Sequence, residues 1–438
     1  MSEPLPGASP RAPSPDALLD PRETRAPELR EAELMSRLSA LVAVAQAQAP
    51  AYAELLRGVD AASVASRAAL AMLPLTRKRA LAERQRAERA RDVFGGFATL
   101  GIGAAHAPAR RAGRVFASPG PIYEPEGAAS DYWRMGRAMR ASGIQAGDLV
   151  HNAFSYHFTP AAAMIESGAR ALGCTVFPAG IGQTELQVQT IADLRPDAYA
   201  GTPSFLKLIV DKAAESGTDI GSITKASVGA EAFPAALRDW LSARGIDAYQ
   251  SYGTADLGLV AYETSAREGL VLDEDVIVEI VEPGGSTPVV DGEIGEVVVT
   301  VLNPDYPLIR FATGDLSAVL PGACPSGRTN TRIRGWLGRA DQSAKVRGMF
   351  VHPSQVAEVL RRHSAVRKGR LVVAGTLADD RMRLDIELDP GAGDAADLAE
   401  RVAETIRDVT RLRGEVAIVA PGSLPDDGRL IEDTRAVG

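Results

Sequence analysis

Between Tyr306 and Pro353 the chain gathers residue types suited to anions and hydroxyls. The segment begins YPLIRFATGDLSAV and, after a basic connector, continues IRGWLGRADQSAKVRGMFVHP. It places an Arg and a Gly-Asp pair near a strand edge, then a charged Gly-Arg-Ala-Asp turn, then Lys345 and Arg347 just ahead of Gly348. A donor-rich, flexible segment that closes one folded region and opens the next is what a nucleotide-handling hinge needs. The same residues serve equally as an interdomain linker with ordinary turn residues.

The rest of the chain bounds the possibilities. A length of 438 residues implies two or three domains with ample material for a large core. Acidic residues (56) outnumber Lys and Arg (48), giving a net charge of −8. That balance excludes the basic stripe of a nucleic-acid binder. The two cysteines, Cys174 and Cys324, have no neighbour at metal-ligand spacing, so neither a zinc site nor a disulfide framework is expected. The first 27 residues are rich in Pro, Ser, Ala and charge, lack the apolar centre of a signal peptide, and read as a disordered tail. No 18-residue apolar run follows, so a cytoplasmic protein without a membrane span is expected.

The elements that must position the chemistry follow from periodicity. Residues 28–57 carry apolar positions at helical spacing, and Thr76 reads as the cap of a charged surface helix. The stretch RVFASPGPIYEPEG reads as a rigid loop because of its prolines and Gly120. From Asp148 to about Tyr262 short buried strands alternate with helical patterns, which predicts βαβ units and a mainly parallel sheet. Polar residues and glycines sit just after those strands, where open α/β sheets bind ligands. After Leu270 the strands shorten between Gly, Pro and Asp turns, predicting a small antiparallel subdomain. Past Asp341 an αββαβ pattern of about 100 residues predicts a separate small unit.

Seven ordered segments resemble the adenylate-forming superfamily, most closely its phenylacetate-CoA ligase branch. They are LPLTRKRAL, the block from SYHFTPAAAMIESG to AGTPSFL, VGAEAFP, SYGTADLG, GEIGEVVVT, YPLIRFATGDLS and GRADQSAKVRGMFVHPSQVAEVL. Together they cover roughly residues 70–435. The resemblance implies an α/β fold with a large N-terminal domain (28–340) of mixed, partly parallel sheets plus an antiparallel subdomain. A small mobile α+β domain (341–438) would pivot near Asp341. It also implies ATP and Mg²⁺ as cofactors, CoA as co-substrate, a small carboxylic acid as substrate, and dimers as a common assembly.

Roles follow from the matched positions. The resemblance places Gly229, Ala230 and Glu231 on the adenine, with Tyr252, Gly253 and Thr254 of the Tyr-Gly turn beside it. Asp256 matches the acid that holds Mg²⁺, Asp315 the acid that accepts both ribose hydroxyls, and Arg339 a second ribose or phosphate contact. Lys345 and Arg347 would travel with the small domain toward CoA or the adenylate. Phe154, Tyr156, His157 and Phe158, bordered by Thr202 and Ser204, would line the acyl pocket, which points to an aryl or arylacetic acid.

The sequence departs from the family in three places. The phosphate loop, ordinarily a Ser/Thr/Gly run ending Lys-Pro, is here FASPGPIYEPEG, with no Lys; Ser118 and Gly120 remain as phosphate contacts. The C-terminal catalytic Lys is replaced by Arg429. A zinc knuckle of some relatives keeps Cys324 but has Ser326 in its second slot, so no structural zinc is expected. The implied activity is an ATP-dependent acid–CoA ligase. Transfer to a different acceptor, or a degenerate ligase that only binds, are the alternatives these departures leave open.

Overall fold

Short β-rich runs capped by Gly and polar residues, alternating with amphipathic helices, build the centre of the molecule. The computed structural model describes residues 18–102, 111–118, 122–346, 349–376, 379–390 and 395–435. Strands Thr175–Pro178, Leu149–Asn152, Ala198–Gly201, Lys225–Val228 and Asp247–Thr254 lie side by side and pair in parallel. Helices Ala161–Ala171, Thr184–Leu194, Pro203–Ser216 and Ala235–Ser242 make the crossovers. The third shows why such helices start and stop where they do: Thr202 caps it, Pro203 opens it, and Gly217, at φ 67°, ends it. One apolar layer holds Met139, Ile165 and Ala169; a second holds Ile191, Leu206, Ile209 and Leu241. The expected βαβ organisation is therefore present.

The strand Asp247–Thr254 runs further than expected. Tyr252, Gly253 and Thr254 belong to the strand, not to a turn after it, and pair antiparallel with Gly258–Tyr262 across a tight reversal. That hairpin extends the parallel sheet into nine strands, adding Leu270–Leu272, Arg332–Ile333 and Val319–Leu320. A separate four-stranded sheet contains Val276–Val281, Gly295–Val301 and Phe311–Ser317 in antiparallel order. Its fourth strand, Thr76–Arg77, lies parallel to Phe311–Ala312. Thr76 is consequently not a helix cap: its hydroxyl donates to the Ile309 carbonyl, and the charged helix begins at Lys78.

Two further expectations are corrected. The supposed rigid loop is a hairpin, Arg114–Ser118 against Ile122–Glu126. Pro125 is tolerated because the ribbon has only two strands among the described residues, so both are edge strands. Disorder was expected through residue 27, but Leu18 onward is ordered. Asp20 caps a 3₁₀ turn at Pro21–Thr24, and Glu23 is buried between Arg137 and Arg328. Charge composition alone hides this, because each charge has a partner far away in sequence. Arg22 reaches Asp275, and both Arg25 and Arg30 reach Glu274. The expected tail over residues 1–17 lies outside the described residues.

Past residue 343 the apolar residues form their own core. Val351, Val356, Leu371, Leu384, Val402 and Ile406 pack between a four-stranded sheet and the helices Pro353–Arg361 and Ala395–Thr410. The sheet order is Glu415–Ile418, Asp379–Leu388, Val366–Thr376, Ile431–Asp433. No helix among the described residues is long and apolar enough to cross a membrane.

Candidate active site

Asp315 lies in the strand Phe311–Ser317, facing the end of the strand that carries Tyr252. Its Oδ2 accepts from the Tyr252 hydroxyl at 3.0 Å; its Oδ1 accepts from Trp336 Nε1 at 3.1 Å and from the Arg339 guanidinium at 3.1 Å. Arg339 also donates to the Thr313 carbonyl. Gly314, at φ 75°, sits in the left-handed region that favours glycine, and a Cβ there would also push the Arg339 guanidinium aside. The Tyr252 hydroxyl stays protonated: burial and the adjacent Asp315 charge push its pKa well above 10. Trp336, half exposed beside this carboxylate, belongs to the site although residue-type reasoning passed over it. Its only signal was its place in IRGWLGRAD.

Asp256 follows that strand and its side chain is fully buried. Oδ2 takes a 2.8 Å ion pair from Lys78, the first residue of the helix Lys78–Glu88, while Oδ1 has no hydrogen-bond partner among the described residues. Lys78 sits in the quoted LPLTRKRAL segment and was not singled out. The hairpin that replaces the phosphate loop packs nearby. Ser118 donates its hydroxyl to Glu124 Oε1 at 2.5 Å, and both residues are buried. Burial, reinforced by the Asp256 charge, pushes the Glu124 pKa up to about 8. Glu126 pairs with Arg114. Glu126 is thus ion-paired, and Glu124 is turned inward onto Ser118. The Ser118 hydroxyl is already committed, and Gly120 lies outside the described residues.

The Gly229–Glu231 turn follows the strand Lys225–Val228. Gly229 donates to the Gly201 carbonyl, and Ala230 adopts φ 67°. Glu231 accepts from the Ser204 backbone N–H at 2.6 Å, which ties this turn to the start of the helix Pro203–Ser216. Thr202, Ser204, Gly229 and Tyr252 thus gather at the carboxyl ends of three parallel strands. Of the proposed acyl-pocket residues, Phe154 is half-buried and Tyr156 receives a 2.9 Å hydrogen bond from Asn152. His157 is exposed, and Phe158 is 80% exposed at φ 61°, its carbonyl accepting from Ala117 in the hairpin. In this conformation neither His157 nor Phe158 is enclosed in a pocket.

Asp341 lies in a 3₁₀ turn, Ala340–Gln342, immediately before the C-terminal core. Lys345 is in the strand Ala344–Val346; Arg347 lies outside the described residues. Arg429 is exposed on a loop whose neighbours Gly428 and Leu430 line a cleft of about 390 Å³ with Ala232, Trp336, Arg339 and Arg361. The loop that carries Arg429 therefore faces the same side as Asp315 and Arg339. Cys324 contacts Ser326 at 3.1 Å, and no cluster of three metal-binding side chains occurs among the described residues. A larger groove, about 980 Å³, lies between the first long helix and the antiparallel sheet, away from these groups.

Two family models match the chain: AMP-binding enzyme over residues 128–301 and AMP-binding enzyme C-terminal domain over 348–431. A phenylacetate-coenzyme A ligase of Aromatoleum evansii is 34% identical over 367 residues, 80% of this chain and 79% of the relative. One from Thermus thermophilus is 29% identical over 424 residues, covering 89% and 92%. Among solved structures, an open 2-hydroxyisobutyryl-CoA ligase in complex with 2-HIB-AMP and CoA superposes with a TM-score of 0.82 at 25% identity, covering 94% of this chain and 93% of that one. The chain belongs to the AMP-binding, adenylate-forming enzyme family, in its phenylacetate-CoA ligase-like branch.

Proposed function

We propose that this chain is an AMP-forming acid–CoA ligase acting on a small carboxylic acid, aryl or arylacetic in character. The carboxylate oxygen attacks the α-phosphorus of ATP, the bond to the β-phosphate oxygen breaks, and pyrophosphate leaves. The CoA sulfur then attacks the acyl carbon, AMP leaves, and the thiol proton passes to solvent. No protein nucleophile is needed, so catalysis comes from positioning and charge stabilisation. The observation that carries this reading is the Asp315 carboxylate, held by Tyr252, Trp336 and Arg339.

In this reading Asp315 accepts the ribose hydroxyls and Arg339 orients them, while Gly229, Ala230, Glu231 and Tyr252 frame the adenine, with Gly253 and Thr254 beside it. Asp256 suits magnesium: one oxygen is anchored by Lys78 and the other is without a partner among the described residues. Magnesium, when bound, neutralises phosphate oxygens. Lys78 supplies the ammonium that the stretch around Ser118, without a Lys, does not. Residues 28–340 form the larger unit and 341–438 the smaller, turning near Asp341. Arg429 brings its charge to the carboxylate and α-phosphate, and Lys345 and Arg347 meet the adenylate or CoA phosphates as the smaller unit moves. Phe154, Tyr156, His157 and Phe158, with Thr202 and Ser204, border the acyl group once it closes. The free thiols Cys174 and Cys324 fit a cytoplasmic enzyme.

ATP–pyrophosphate exchange with a panel of carboxylic acids, phenylacetate and benzoate among them, tests the reading. Acid-dependent exchange, with thioester formed on adding CoA, is expected. The hairpin without a Lys favours one alternative, a protein that binds nucleotide without adenylating; absence of exchange with every acid selects it. Exchange that proceeds while CoA gives no thioester selects another acceptor.

A further inference from the structure

We infer that Glu124 is a second carboxylate ligand of the divalent cation, beside Asp256, built into the hairpin that stands in the phosphate loop's place. The inference rests on the reading of Asp256 as the cation-holding acid. One helix organises both groups. Lys78, at its start, holds Asp256 at 2.8 Å; Gln85, two turns on, clasps the Tyr123 backbone, donating to its carbonyl at 2.9 Å and accepting from its N–H at 2.8 Å. Glu124 is the next residue, so alternation along the strand turns it to the other face, where it is 1% exposed.

Three buried oxygens have no partner among the described residues, Asp256 Oδ1, Glu124 Oε2 and the Tyr306 hydroxyl, and their residues interact electrostatically with one another. Tyr306 is 3% exposed, and its phenol feels the negative charge of both carboxyls. Burying polar atoms unsatisfied is costly, and here Lys78 pairs with Asp256 while Glu124 has no ion-pair partner among the described residues. A hard divalent ion satisfies the free oxygens and balances the charge. No third acidic, His or Cys side chain completes a cage among the described residues. That matches an ion delivered on phosphate oxygens and water, which takes only one or two carboxylates from protein. The hairpin's prolines removed N–H donors; Glu124 shifts the work of holding phosphate from loop amides to the metal.

Mn²⁺ binding, followed by its EPR signal with a non-hydrolysable ATP analogue and the full chain, tests this. Glu124→Gln is expected to weaken Mn²⁺ in the ternary complex about tenfold or more, the scale on which metal sites respond to a lost supporting group. The analogue alone, in EDTA, is expected to bind both proteins equally. Without metal, Glu124→Gln is expected to melt no lower than the wild type. Glu124→Asp, with its carboxylate one methylene short, is expected to lose affinity by a smaller factor and serves if the Gln variant misfolds. Wild-type Mn²⁺ affinity in both variants, alongside a weakened Asp256→Asn, overturns Glu124 as a ligand and leaves Asp256 standing. Failure of the wild type to bind Mn²⁺ with nucleotide overturns both.

Discussion

The Tyr252 hydroxyl donates to Asp315 Oδ2 at 3.0 Å, and this bond joins the last parallel strand of the nine-stranded sheet to the separate antiparallel sheet. Trp336 and Arg339 fix the second oxygen. The carboxylate is thus held in one orientation before any ligand arrives, with a strand supplying Tyr252 and an isolated β-bridge to Asp315 holding Arg339. Preorganisation of this kind lets binding energy go into chemistry instead of ordering a side chain.

Asp315→Asn keeps the shape but replaces an acceptor oxygen by an amide facing donors. Hydrogen bonds to a charged group contribute about 1.5–3 kcal/mol, so the KM for ATP in pyrophosphate exchange is expected to rise about 10–100-fold. Tyr252→Phe removes one neutral donor and is expected to cost only a few-fold. An Asp315→Asn enzyme with wild-type KM for ATP would remove the ribose assignment.

Arg310 in YPLIRF shows how far residue types mislead. It is fully buried, pairs with both Glu279 oxygens at 3.0 Å, and donates to the carbonyls of Ala71, Leu73 and Ser286. It clamps the antiparallel sheet and takes no part in the site. Arg310→Met strands Glu279 without its cation, and breaking such a buried pair costs about 3–5 kcal/mol. Urea melts of the variant are expected to show that loss. A melt unchanged from the wild type would mean the pair is not formed in solution.

What was legible in the chain was what local rules determine. Alternating strands and helices from 148 to 254 follow from periodicity and caps, and the ordered motifs single out Asp315 and Arg339, which the fold brings into contact. What escaped depends on distant partners. Lys78 lies 178 positions from Asp256, and Glu23 lies 305 from Arg328. The prolines at 121 and 125 argued for a loop because nothing in the sequence shows that the ribbon has only two strands. Trp336 carries no signal of its own until the chain brings its indole to Asp315.

His352 sets an acid limit on the smaller unit. It caps the helix Pro353–Arg361, its ring accepting from the Gln355 backbone and lying 3.2 Å from the Ser343 hydroxyl. Burial lowers its pKa from 6.5 to about 4. The unfolded chain takes up a proton near pH 6.5 while the folded one resists until about 4, so this stability is full above pH 6.5 and is lost as pH falls between the two. The loss amounts to roughly 3 kcal/mol by pH 4. Melting followed from pH 7 to pH 4 is expected to show the decline, and His352→Asn is expected to flatten it. A variant with an unchanged slope assigns the decline to other groups.

The proposed role of Arg429 predicts a separation between adenylation and thioester formation. It is exposed on a loop at the edge of the cleft that also contains Trp336 and Arg339, so reaching a reacting carboxylate requires the smaller unit to turn. On the proposed role, Arg429→Ala removes a charge contact made only in the adenylation transition state, a loss that commonly costs about 10²–10³ in rate. The expected result is pyrophosphate exchange reduced by that factor while thioester formation from a supplied acyl-adenylate stays within a few-fold. Arg429→Lys tests geometry: an ammonium of equal charge but different shape is expected to retain more exchange than Ala. Equal loss of both half-reactions in Arg429→Ala would show that the residue acts through the fold of the smaller unit instead of through the α-phosphate.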